Sequence, residues 1–157
     1  MNSQNSPGGQ GAFNSLAGYI FGKNKNNEKM AMTTPVLSKT DSKGTKKMSF
    51  VMPSRFWKDP QNLAAAPLPF DESDVKLEMF VDCKEPLASI WFGGYSDAKK
   101  VEEMYAKLKS HLEENDDWKL KDSTMEPLVL QYNDPFQPPW KRRNEVCAPA
   151  IRRTQRT

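Results

Sequence analysis

Residues Leu87–Leu120 read LASIWFGGYSDAKKVEEMYAKLKSHLEENDDWKL, and the periodicity changes twice along them. LASIWF is a short apolar run closed by Gly93-Gly94, expected as a well-buried strand. From 97 to 114 the apolar residues are Val101, Met104, Tyr105, Leu108 and Leu112, which fall on one face of a helix. Ser96 or Asp97 is placed to cap its first turn, because a side-chain oxygen there accepts from amides that have no partner in the helix. Glu103 and Lys107 form a favourable pair one turn apart. Trp118 and Leu120 then open a second strand. Strand, helix and strand in quick succession point to an α+β fold.

Downstream, LVLQY (128–132) and NEVCAPA (144–150) read as two further strands. Upstream, VKLEMFV (75–81) alternates, with Val75, Leu77, Met79 and Val81 on one face. KMAMTTPV and KKMSFVMPS alternate too, and SKTDSKGTK between them suits a hairpin turn. Residues 54–74 read as a long loop. Phe13, Leu16, Ala17 and Ile20 mark an earlier helix that Gly22 can end, followed by the polar loop KNKNNEK. The elements form two strand–helix–strand–strand units, the first without its leading strand. The expected fold is α+β: a distorted antiparallel β-barrel with two covering helices. Residues 1–11 are expected to be a flexible amino terminus, 12–150 one domain and 151–157 a basic tail.

Composition narrows the function. The chain has 157 residues, with 23 basic and 20 acidic side chains and a formal charge of +3. A balance so near neutral argues against a dedicated nucleic-acid binder. The apolar runs fall short of the ~20 residues that cross a bilayer. The start MNSQNSPGGQG has neither the charge nor the apolar region of a secretory signal. A soluble, cytoplasmic protein is expected, with the chloroplast as the alternative. The two cysteines, Cys83 and Cys147, make no CxxC, so no zinc site is expected and core thiols are.

Enzyme chemistry finds no footing. His111 is the single histidine, and GxSxG, HExxH and phosphate-cradling glycine motifs are absent. No nucleophile is paired with a base, and the chain is not expected to be an enzyme. Met30, Met32, Met48 and Met52 fall in one neighbourhood, as core or as the soft lining of a flat ligand's site.

YNDPFQPPWKRRNEV (132–146) asks for a different explanation. Three prolines, Phe136, Trp140 and the cations Lys141–Arg143 share fifteen residues between two strands. Prolines reduce the entropy lost on ordering. The stretch fits a stiff loop covering an apolar groove, and equally a structural closure in which Arg143 pairs with Glu145.

FNSLAGYIFGKNKNNEKMAMTTPV, MSFVMPS and YNDPFQPPWKRRNEV, in that order, resemble the hallmarks of the SOUL haem-binding protein family, and most of its plant and algal branch. The resemblance implies the two-unit barrel and non-covalent, reversible binding of haem or another tetrapyrrole in an exposed hydrophobic groove. By position, the first-helix side of that groove is Gln10, Phe13, Ala17 and Gly18. The loop side is Phe136, Gln137, Pro138 and Trp140. Where relatives carry basic residues near the propionates, this chain has Gln10, Gly18 and Pro138, so Lys23, Lys141 or Arg142 would substitute. The absent leading strand implies a protein partner or dimer covering that edge. The competing reading is a ligand-free structural or interaction subunit on the same fold.

Overall fold

The computed structural model describes residues 2–4, 10–41, 44–58, 65–78, 86–134 and 136–153. Among them are two helices and eight strands in two compact units, Met1–Met79 and Phe80–Thr157, so the α+β class is as expected.

Unit 1 contains β1 (Asn2–Gln4), α1 (Gln10–Ile20), β2 (Val36–Thr40), β3 (Lys46–Phe50) and β4 (Val75–Lys76). Its strands lie in the order β4-β1-β3-β2, all antiparallel. The sequence reading left the place ahead of α1 without a strand and residues 1–11 flexible. The structure instead puts β1 there, between β3 and β4, so the partner inferred from a bare edge loses that support. Asn2–Gln4 is wholly polar, and pairing through main-chain amides needs no apolar side chain.

α1 buries Ala12, Leu16, Tyr19 and Ile20, a stripe turned slightly from the expected one, which leaves Phe13 and Ala17 half-buried on its shoulder. The helix ends as Gly22 foretold. Gly22 adopts φ 107°, its amide donates to the Tyr19 carbonyl and the Lys23 amide to that of Gly18. Met30, Val36, Met48, Phe50 and Phe56 complete the core, with Met32 and Met52 packed against it. Met30 and Met48 are therefore core residues, and Met32 and Met52 lie partly buried at its margin.

The loop after α1 is organised by one side chain. Asn24 is fully buried. Its amide nitrogen donates to the carbonyls of Tyr19 (2.9 Å) and Glu28 (2.7 Å), and its oxygen accepts from the amides of Asn26 (3.1 Å) and Glu28 (3.0 Å). The β2–β3 hairpin turns through Asp41–Thr45, with Gly44 at φ 80° and the Asp41 carboxylate accepting from the Thr45 amide at 2.8 Å. β2 starts only at Val36, after an irregular run over 30–35 that includes the cis Thr34–Pro35 peptide, and Ser38–Thr40 lie in the strand rather than the turn. The strand expected over 75–81 covers Val75–Lys76. Leu77 and Glu78 lie outside it, and 79–81 outside the described residues.

Unit 2 contains β5 (Leu87–Gly93), α2 (Ala98–Glu113), β6 (Trp118–Leu120), β7 (Leu128–Gln131) and β8 (Arg143–Arg152). β8 lies between β7 and β5 and pairs beyond them with β6. Neither unit's strands close on themselves among the described residues. Asp97 caps α2, accepting from the Lys100 amide at 2.9 Å. Met104, Tyr105, Leu108 and Leu112 pack on Phe92, Val146 and Ala148. The two ends of α2 are tied differently. At the far end the Arg153 guanidinium donates to the carbonyls of Leu112 (3.0 Å), Glu113 (3.2 Å) and Asn115 (2.8 Å). Arg152 lies over the Trp118 ring. Of the residues expected in a basic tail, Arg152 thus lies in β8 and Arg153 contacts the end of the helix.

Asn24→Ala is expected to lower the unfolding free energy by about 3 kcal/mol, because several buried backbone groups lose their partner. Asn24→Asp keeps the acceptors, loses the donors and should also destabilise. Urea unfolding monitored by circular dichroism checks both, and an unchanged midpoint in Asn24→Ala contradicts the role.

Candidate functional site

The two faces of unit 2 differ. Cross-strand register puts Ala88, Ile90 and Phe92 of β5 with Asn144, Val146 and Ala148 of β8, on the α2 side. Ser89, Trp91 and Gly93 lie with Arg143, Glu145 and Cys147 on the other. β5 is consequently less buried than its apolar composition suggested: Phe92 is buried, while Trp91 is 55% exposed.

On that second face Trp91 stacks on Tyr132, ring centroids 5.1 Å apart and planes 29° apart. Glu145 is buried. Its carboxylate accepts from the Cys147 thiol at 3.5 Å. Burial, and then the Glu145 carboxylate, push the Cys147 thiol up to about 12. Cys147 is an inert core thiol, and Cys83 lies outside the described residues. Tyr132 is raised too, first by burial and then by Glu145.

The β7–β8 loop is ordered by its own hydrogen bonds. The Asp134 side chain accepts from the Phe136 amide (2.7 Å) and its carbonyl from the Gln137 amide (3.0 Å). Asn133 accepts from the Arg143 amide at 2.6 Å. Pro139–Lys141 form a 3-10 turn. Arg142 Nε donates to the Gln137 carbonyl at 2.8 Å, and its guanidinium lies 4.6 Å from the centre of the Tyr95 ring. The loop nevertheless leaves Phe136 92% and Trp140 81% exposed. An ordered loop with two bare aromatics is not a closure that folds its apolar residues inward. Nor is Arg143 paired with Glu145, the ion pair that the closure reading required. Among the described residues neither Lys141 nor Arg143 has an ion-pair partner.

Beside the loop is an open pocket of about 400 Å³ lined by Trp91, Phe92, Gly93, Arg142 and Arg143. The sequence reading marked Arg142 and missed Trp91, Tyr95 and Tyr132. Alternation in LASIWF was the available signal, since it puts Trp91 opposite Phe92.

The α1 residues of the sequence reading lie in unit 1. Gln10 begins the helix, and its side chain is outside the described residues. Phe13 meets the Phe50 ring edge-on at 5.6 Å. Ala17 and Gly18 are half-buried, and a Cβ on Gly18 would stand 3.2 Å from Lys23 Cδ, so the lysine stem runs along the helix there. His111 is exposed in the last turn of α2. No metal-binding cluster of His, Cys, Asp or Glu occurs among the described residues, and no helix there is long and apolar enough to cross a membrane.

The family model described as SOUL heme-binding protein matches residues 1–149, spanning both units. The chain belongs to that family. Among curated proteins none matches it.

Because the Cys147 thiol holds its proton from its ordinary 9.0 to about 12 in the folded state, the folded protein binds more protons than the unfolded chain across that window. The stabilisation is complete below 9 and fades as pH rises. Urea melts at about pH 8 and about pH 10.5 should show a fall that is smaller in Cys147→Ala. In a Cys83→Ser background, Ellman's reagent at pH ~8 should label Cys147 only after unfolding, as expected of a buried thiol. Rapid labelling of the native protein contradicts the burial.

Proposed function

We propose that this chain binds haem or a related tetrapyrrole non-covalently and reversibly, as a carrier or buffer without catalysis. The carrying observation is the β7–β8 loop, which is held by its own hydrogen bonds yet presents Phe136 and Trp140 to solvent. Exposed aromatic planes on ordered backbone suit a flat apolar ligand, because little side-chain freedom is lost on stacking. Lys141, exposed on the same loop, offers a cation to a propionate. Arg142 acts from behind, holding the loop through Gln137 and Tyr95. Phe13, Ala17 and Gly18 belong to this reading through the family resemblance.

The competing reading is a ligand-free interaction subunit, for which the same two aromatics would be the contact. Hemin titration separates them. Saturable growth of a Soret band with tryptophan quenching at micromolar hemin is expected. Trp140→Ala should weaken binding about tenfold, from a ring contact worth about 1.5 kcal/mol. A chain that shows no saturable change, and purifies with a protein bound to the loop, favours the interaction subunit.

A further inference from the structure

The tetrapyrrole reading leaves open which group meets the ligand's second acidic arm, and the pocket beside β5 supplies an answer. Arg142 is committed to Gln137 and Tyr95. Arg143 is not. Strand register puts it directly opposite Gly93, on the face that carries Trp91. Gly93 has no side chain, so the space between the Trp91 indole and Arg143 stays open. Nothing in the backbone demands glycine there. Gly93 is outside the left-handed region, and an added Cβ would meet only the Arg142 carbonyl oxygen at 3.6 Å, an ordinary contact. The nearby carboxylate, Glu145, is buried and accepts from the Cys147 thiol, while Arg143 is exposed and makes no ion pair with it among the described residues.

We infer that this pocket takes the carboxylate-bearing edge of the ligand. Arg143 binds the carboxylate, for which its forked donors are suited. The exposed face of Trp91, backed by Tyr132, carries the adjoining ring edge, and Gly93 keeps the floor clear. The inference rests on the tetrapyrrole reading and adds a second wall, on β5, to the loop that carries Phe136 and Trp140.

Hemin and its dimethyl ester, which has no free carboxylate, are the probes. They are titrated into the full chain, Arg143→Gln and Gly93→Leu, with circular dichroism and thermal unfolding showing each variant folded. Arg143→Gln should weaken hemin about tenfold and leave the ester unchanged, the loss of one charge-assisted contact. Gly93→Leu should weaken both by filling the pocket. Hemin affinity unchanged in Arg143→Gln overturns the inference while leaving the tetrapyrrole reading standing. Equal losses for hemin and ester in Arg143→Gln overturn the carboxylate role. If Gly93→Leu does not fold, Arg143→Gln decides alone, since its side chain is exposed. No saturable hemin binding by the unaltered chain overturns both readings.

Discussion

Unit 2 is arranged around one strand that must satisfy both of its edges and both of its faces. β8 pairs with β5 along 143–149, with β7 along 144–147 and with β6 along 150–152. From Asn144 to Ala148 every residue is buried. A strand covered on both faces must be apolar or internally satisfied, because an unpaired polar group inside costs more than a hydrogen bond returns. Asn144 meets the demand by donating to the Gly94 carbonyl at 3.0 Å, and Glu145 by accepting from the Cys147 thiol. Pro149, which has no amide to donate, sits where pairing passes from β5 to β6.

The loop inherits its order from that strand. Asn133 binds the first amide of β8, and Tyr132 stacks on Trp91 of the neighbouring strand. What is left over faces solvent: Phe136, Trp140, Lys141 and Arg143. The loop therefore presents aromatic and cationic surface together. Cations and rings stand near one another because the segment that must enter the core at Asn144 leaves it immediately before.

Much of this was legible in the sequence where local chemistry and periodicity agree. α2 was expected over 97–114 and spans Ala98–Glu113, with Asp97 as its cap. Gly22 ended α1. Phe136, Gln137, Trp140 and Lys141 do share one loop. Period-two alternation, however, says which side chains share a face and nothing about what covers it. LASIWF therefore reads as well buried, whereas its Trp91 face is open. The stripe on α1 was misplaced because Tyr19, a polar-tipped ring, outweighs Ala17 in the core once its hydroxyl reaches the Pro67 carbonyl. Burial likewise pushes that phenol up to about 12, with Glu28 adding to it. β1 was invisible, since nothing in Asn2–Gln4 distinguishes a polar strand from a polar tail. The second wall at Trp91 and Arg143 depends on strand register, which the sequence does not number.

Asn24 has a wider meaning for the surface of unit 1. Its amide group takes the part of a peptide unit, joining Tyr19 to Glu28 where no strand runs. The curve of the chain is thus written at one interior position. Lys23, Lys25, Asn26 and Lys29 around it are exposed. Shape and charge are encoded by different residues, so the electrostatic character of this corner can be rewritten while its backbone is left as it stands.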